Sequence, residues 1–586
     1  MSVNNMDNER EFLDLPNEII DIVLQNRGIS FTDICSISQT CTKLQSLCLS
    51  NELWRRKLQQ RWPKLLLRYS REQAHDWLKE FKTYTVVGRA VQKLVSQLSP
   101  RFYKLEEIPD DGFSDVVSLM EEHNAAEVII NELNEIIHDN DRFKNLTNKY
   151  YAVKLLRHIF HLHLTEKWKA HLQQPPDEQK LEKGATIISQ WFQPTEDVTE
   201  NSIIDRLDEI AERVKKNLPE NLASKYTEGV PSLSTEQERV VLEIMNHVLY
   251  TEMGFHGNEE NYYDENNSFI NKVLDRKLGI PISLSVLYLS VARRLGVTCQ
   301  CVNFPSHFLL KWKEHPMATV DKQYTFIDAF HGKFITEIGG DHTVFTDSIP
   351  HIEVYKRMLR NLINIARNHH HMRSTTTFLR DAVEMMLLTT PDDIDYQFLL
   401  VKIYMYLKIN QEKVKDILLE MEIADEGRVS QVARLTAQVE RSARENEELL
   451  QKKTKPKYRA ENKEVRFSVG MVMKHKRYNY MCVIFGWDST CQASREWIIQ
   501  MGVHMLPRKD KQPFYNVLVE DGSIRYAADE NLYHPDNYCE IPHPDVGKYF
   551  QEFTGQYYVM NNEKAEEYPD DIQETQTTVE GVGRGQ

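Results

Sequence analysis

Residues 278–296 constrain this chain more than any other stretch. Pro281 opens a helix whose body, Ile282-Ser283-Leu284-Ser285-Val286-Leu287-Tyr288-Leu289, carries no charge, and Gly296 closes it. Proline suits the first turn of a helix and glycine its end. A helix apolar on every side must be enclosed, so the segments around it have to supply a core. Two strand-like runs, 299–310 and 324–330, follow directly. The apolar stretch from 278 to 292 is shorter than the ~20 residues a bilayer helix needs, and Arg293 and Arg294 come next. The order of buried helix, strand and strand therefore predicts the interior of an α+β block and no membrane span.

The chain has 586 residues, enough for roughly four folding units at about 150 residues each. With 41% hydrophobic and 27% charged residues it is not a wholly disordered chain. Lys and Arg total 72 against 87 Asp and Glu, a net charge of −15, which argues against a protein dedicated to coating nucleic acid. Eight cysteines are scattered without a CxxC pair, and the first ten residues are polar. Both features predict reduced thiols in the cytosol or nucleus and no secretory leader.

On either side of the apolar helix the texture is mostly helical. Residues 65–234 read as a helical scaffold and 351–425 as stacked helical hairpins, loosely of tetratricopeptide type. Residues 430–464 read as a charged helix ending in Lys452-Lys453-Thr454-Lys455-Pro456-Lys457 and serving as a linker. Strand patterning dominates 465–535, where Glu520-Asp521-Gly522-Ser523 marks a hairpin turn, and a small β-barrel is expected. The acidic stretch 560–586 is poor in apolar residues and is expected to be disordered. At the other end, residues 11–62 hold three or four short helices. That is too little chain to bury a sufficient core alone, so the unit needs a partner surface.

Leu15-Pro16-x-Glu18-Ile19-Ile20-x-Ile22, with Leu53-Trp54 closing the unit, resembles the F-box. The resemblance implies docking on a Skp-type adaptor of a cullin-RING ubiquitin ligase. The adaptor-binding residues would be Leu15, Pro16, Glu18, Ile19, Ile22, Val23, Ile34, Ile37, Leu53 and Trp54.

Leu278-Gly279-Ile280-Pro281, then Ala292-Arg293-Arg294-Leu295-Gly296, then Val302-Asn303-Phe304-Pro305-x-His307-Phe308-Leu309 resemble the SirB-type transglutaminase-like domain, here 235–350. In the wider superfamily a Cys begins the buried helix, with a His and an Asp on the next two strands. His307 and Asp328 match the last two roles, but no cysteine stands at the helix start. Cys299 and Cys301 lie a full element too late, and Ser283 occupies the vacated region. A nucleophile needs a base in hydrogen-bond reach and a group that orients the base. The expectation is thus a vestigial set, His307 and Asp328 with Ser283, and a block without catalysis.

Val469-Gly470, His475, Gly486-Trp487-Asp488, Trp497, Gln512-Pro513-Phe514-Tyr515, Tyr526 and Glu530-Asn531-Leu532 resemble the YccV or heat-shock-protein-Q type of hemimethylated-DNA-binding protein. Trp487, Trp497, Gln512, Tyr515 and Tyr526 are the expected ligand face. Nine basic residues against seven acidic ones over 465–534 make a weak phosphate-tracking surface, so protein is expected there before DNA.

His158, His161 and His163 share a helical stretch without a matching Cys or carboxylate, and His369-His370-His371 reads as a polar loop. No metal site and no cofactor are expected. The three motifs in this order resemble the F-box only protein 21 family. The fold class expected is multidomain and mainly α, with the α+β block and the small C-terminal barrel. The implied function is that of a non-catalytic substrate-recognition subunit of a Skp–cullin–F-box ubiquitin ligase, recruiting proteins for ubiquitination and proteasomal degradation. Two rivals are a transglutaminase-like hydrolase or transferase, and a DNA-binding adaptor acting through the barrel.

Overall fold

In the computed structural model of the protein, four short helices, Asn17–Leu24, Phe31–Ile37, Thr42–Cys48 and Asn51–Arg61, come first. The structure describes residues 12–583 except 64, 70–74, 140–143, 177, 305–306, 320–321, 336–346, 369–372 and 425–428, so the His369-His370-His371 loop lies outside the described residues. Ser30 caps the second helix, accepting from Asp33 N at 3.1 Å while Asp33 Oδ2 accepts from Ser30 N at 2.8 Å. Lys57 is buried and donates to the carbonyls of Asn26 and Ile29 at 2.7 and 2.8 Å, closing the turn between the first two helices. Trp54 Nε1 donates to Cys48 O at 2.7 Å.

This helical group finishes much of its core with its own chain. The helix Trp77–Phe102 brings Phe81 to ring-centroid distances of 5.0 Å from Trp54, 5.5 Å from Trp62 and 5.7 Å from Phe31. Arg61 then pairs at 2.5 Å with buried Glu132 of the helix Ala126–His138. The chain accordingly divides into one unit of Met1–Tyr103 with Asp110–Leu156 and a second of Lys104–Pro109 with Arg157–Gln586. The expected scaffold of 65–234 is therefore not one body. Its first part completes the F-box-like group, because that group's aromatic core is too small without Phe81.

In the second unit the helix Pro281–Arg294 is buried as expected. It packs against Leu181–Phe192, Glu200–Lys216, Ile270–Arg276 and His351–Asn368. Its two terminal arginines share buried Glu182, Arg293 at 2.5 Å and Arg294 at 3.0 Å. Beside it runs a two-residue parallel pair, β1 (His256–Gly257) with β2 (Leu278–Gly279). An antiparallel sheet follows in the order β3 (Cys299–Val302), β4 (Leu309–Trp312), β5 (Thr325–Asp328) and β6 (Lys333–Ile335).

The helices His351–Asn368, Arg373–Thr389, Ile394–Leu407, Gln411–Ala424 and Val429–Gln451 stack each on the next. The last of them covers most of 430–464, where a charged helical linker was expected, and it packs on its neighbour. Val432 and Val439 are buried, and Asn446 Nδ2 donates to Lys408 O at 2.7 Å. Its charged residues Arg434, Glu440, Arg441, Arg444 and Glu445 are exposed, and the lysine run 452–457 follows its end.

The C-terminal sheet has the order β10–β9–β8–β7–β11. Its strands are β7 (Val472–His475), β8 (Met481–Asp488), β9 (Phe514–Val519), β10 (Ile524–Ala528) and β11 (Leu532–Tyr533). Gly522 takes φ +80° in the predicted hairpin turn between β9 and β10. The first and last strands are not paired, so the described residues form a small open sheet where a closed barrel was expected. A further hairpin, β12 (Phe550–Phe553) with β13 (Tyr558–Met560), lies beyond the expected boundary at 535.

Nor is 561–583 disordered. It forms the helices Asn562–Glu567 and Asp571–Gly583. Asp571 is fully buried and accepts from Arg459 Nε at 2.7 Å, Val469 N at 2.8 Å and Trp487 Nε1 at 2.9 Å. Tyr568 packs its ring 5.2 Å from Trp487. Composition predicts disorder here because it counts the carboxylates without the donors that satisfy one of them. Among the described residues no helix is long and apolar enough to cross a membrane.

Candidate functional site

The first helix divides its apolar residues between two directions. Ile20 and Leu24, four apart, are fully buried, while Ile19 and Ile22, three apart, are 43% and 63% exposed. Pro16 and Glu18 are exposed beside them, and Leu15, Val23 and Ile37 are half-buried. Lys43 Nζ holds the leading segment in place by donating to Leu13 O at 2.7 Å and Leu15 O at 3.4 Å. Phe12 and Leu13 add exposed apolar surface. Ile34, Leu53 and Trp54 are buried. Their burial, with Trp54 packed against Phe81, corrects them from adaptor-contacting to supporting residues.

In the transglutaminase-like block, His307 lies on a bend just before β4, not on the strand itself. Its Nε2 is 3.1 Å from Asp328 Oδ1 at the end of β5. A third residue joins them. The hairpin Ala329-Phe330-His331-Gly332 links β5 to β6, and Gly332 adopts φ +67°, which a side chain would strain. Asp328 Oδ1 accepts from Phe330 N at 3.0 Å, a local turn bond typical of Asp. The chain is thereby folded back, and His331 Nδ1 reaches Asp328 Oδ2 at 2.6 Å. Tyr250 OH fixes the loop from outside by donating to Ala329 O at 2.7 Å. Sequence reasoning missed His331; the spacing Asp328-x-x-His331 across a Gly-containing turn is the signal that could have revealed it.

Burial pushes the Asp328 carboxyl up, but the hydrogen bonds from His307 and His331 outweigh it and hold the group at about 2. An unfolded Asp titrates near ~3.9. The stabilisation is therefore complete above about pH 4 and is lost as pH falls toward 2. Asp328→Asn is expected to cost about 2 kcal/mol near neutrality, and the gap from the unmodified chain should narrow at pH 3. Urea unfolding at pH 6.5 and pH 3 measures it.

No activated nucleophile accompanies this group among the described residues. Ser283 is buried, its Oγ donating to Asn267 O at 2.6 Å and accepting from Ile280 N at 3.0 Å, so it caps the helix. Burial pushes the Cys301 thiol up to about 12 and raises Cys299 as well; a thiol held that high supplies no thiolate at neutral pH.

The expected ligand face of the C-terminal sheet is mostly interior. Trp487, Gln512 and Tyr515 are buried. Gln512 Nε2 donates to Lys509 O and Glu530 Oε1, both at 3.0 Å. Tyr515 OH donates to buried Asp529 at 3.0 Å. These three hold the sheet to its loops and cannot stack on a ligand. Trp497 and Tyr526 are half-buried, with ring centroids 5.8 Å apart and Tyr526 OH on Asp488 at 2.8 Å. Arg508 pairs with Asp529 at 2.8 Å and Arg525 with Asp521 at 2.5 Å, which spends part of the basic charge internally.

Three family descriptions match the chain in this order: F-box-like over residues 12–60, transglutaminase-like superfamily over 201–366, and hemimethylated DNA-binding protein YccV like over 465–557. The class is thus an F-box protein that carries a transglutaminase-like and a YccV-like region. The chain is 38% identical to F-box only protein 21 of Pongo abelii and 37% identical to that of Homo sapiens, covering 97% of this chain and 94% of the relative in each case. It belongs to the F-box only protein 21 family. A bacterial UPF0162 protein of Xylella fastidiosa is 32% identical over 171 residues, 26% of this chain and 59% of its own. No solved structure matches.

Proposed function

We propose that the chain is the substrate-recognition subunit of a Skp–cullin–F-box ubiquitin ligase. One observation carries this reading: Ile19 and Ile22 stay exposed on the first helix, next to exposed Phe12 and Leu13, while Ile20 and Leu24 of the same helix are buried. Exposed apolar anchors on a helix suit a helix-recognising partner. That partner is the Skp-type adaptor, and through it the cullin-RING core. The subunit does no ubiquitin chemistry. It raises the effective concentration of substrate lysines near the charged conjugating enzyme, so that marked proteins go to the proteasome. The site of action is the cytosol or nucleus.

The transglutaminase-like block acts in this reading as a scaffold, since Ser283 is committed to capping and both nearby cysteines are buried. The C-terminal sheet captures protein. A titration of the full chain with fully methylated, hemimethylated and unmethylated duplexes at physiological salt should show no sub-micromolar binding and no preference among them. A tight, hemimethyl-selective response would restore the DNA-binding reading. The main test is affinity capture of the chain from cells with the proteasome blocked. Adaptor, cullin and ubiquitinated proteins should all be recovered, and all should be lost when Ile19 and Ile22 are replaced.

A further inference from the structure

Among the described residues, two clusters bring histidine and carboxylate ligand atoms within 4.8 Å of one another: His161 with Asp381 and Glu384, and His307 with Asp328 and His331. Their charge balance differs. In the first, the guanidinium groups of Arg157 and Arg380 both pair with Asp381, and burial with the nearby Arg157 holds the His161 imidazole down at about 3. That cluster is already neutralised. In the second, Asp328 has His307 and His331 as its ion-pair partners, and no Lys or Arg lies within ion-pair distance of it among the described residues. A buried carboxylate is ordinarily matched by a fixed cation or a metal.

We propose that His307, Asp328 and His331 bind a divalent transition-metal ion of the zinc class. Two imidazoles and one carboxylate are a donor set suited to zinc and its first-row neighbours. Such ions hold ligands at about 2.0–2.1 Å, so tetrahedral ligand atoms stand about 3.3 Å apart. His307 Nε2 lies 3.1 Å from Asp328 Oδ1 and His331 Nδ1 lies 2.6 Å from Asp328 Oδ2. A small outward rotation of His331 opens the second spacing. The ion takes the place of the protons now shared in these hydrogen bonds, as binding to neutral imidazole requires.

The histidine side chains are 28% and 43% exposed, which gives the ion an entry path and leaves a coordination position open to water. With the ion on Nδ1, His331 turns its Nε2–H toward Glu259, whose Oε1 is 3.6 Å away. An outer carboxylate behind a ligating histidine fixes its tautomer and orientation. Neither the vestigial pair alone nor the recruiting role requires His331, so this inference stands apart from the ligase reading.

The test uses the full chain stripped with a chelator. Zinc alone is titrated calorimetrically, and cobalt(II) alone is followed by its visible absorption. One ion per chain is expected at this site. His331→Ala, on an exposed turn, and His307→Ala should each weaken zinc binding by at least ~100-fold and abolish the cobalt bands, while thermal unfolding of the metal-free chain records separately the stability lost with each hydrogen bond to Asp328. His331→Gln, which keeps the size and polarity, should behave like the Ala variant. If zinc affinity and the cobalt spectrum are the same in His331→Ala, His307→Ala and the unmodified chain, or if the unmodified chain takes up no ion, the proposal is overturned.

Discussion

Replacing Asp571 with Ala is expected to destabilise the C-terminal sheet by about 3–5 kcal/mol, the usual cost of removing one partner from a buried ion pair. Arg459 Nε, Val469 N and Trp487 Nε1 all converge on this one carboxylate. Its loss leaves a guanidinium without its charge partner and buried N–H groups without an acceptor. Asp571→Asn keeps an acceptor without the charge, so it should fall between the two. Limited proteolysis and near-ultraviolet dichroism of the full chain will show whether 465–557 loosens. Unchanged protease resistance in Asp571→Ala would show that the contacts contribute little.

Ile19→Ala combined with Ile22→Ala is expected to abolish measurable adaptor capture. Interface anchors contribute about 2 kcal/mol each, or about 30-fold per side chain. Because both side chains are already solvent-exposed, melting should hardly shift. Leu15→Ala with Pro16→Ala should weaken capture too, with some loss of stability, as Leu15 is half-buried. Trp54→Ala supplies the contrast. Its ring stands against Phe81 and its Nε1 is bonded to Cys48 O, so it should lower the melting temperature by several degrees and reduce capture only through unfolding. Adaptor binding at full affinity by the Ile19/Ile22 double variant would reject the proposed interface.

The sequence disclosed elements whose signals are local. Pro281 and Gly296 bracket the buried helix, and the hairpin at Gly522 is readable from four adjacent residues. What it hid depends on residues far apart. Ile34, Leu53 and Trp54 share the apolar character of Ile19 and Ile22 but are buried, and Trp54 is covered by Phe81, some twenty residues past the group. Trp487 and Tyr515 look equally suited to stacking on a ligand or filling a core, and the partners that decide, Asp571 and Asp529, carry no distinguishing motif. His307 and Asp328 were legible through family spacing, whereas His331 joins them only because the turn at Gly332 folds back.

The convergence on Asp571 also dictates an order of events during synthesis. The donors Arg459, Val469 and Trp487 leave the ribosome well before their shared acceptor, with roughly 100 residues separating β7 from residue 571. At about 5–20 residues per second that interval lasts roughly 5–20 s. Once β11 is complete at Tyr533 the strands can pair with one another, but they cannot close around Trp487 until residue 571 follows. The group around Trp54 and Phe81 faces no such wait, because its contacts close within the first 156 residues. The amino-terminal unit can thus be mature before the carboxy-terminal sheet has closed on Trp487.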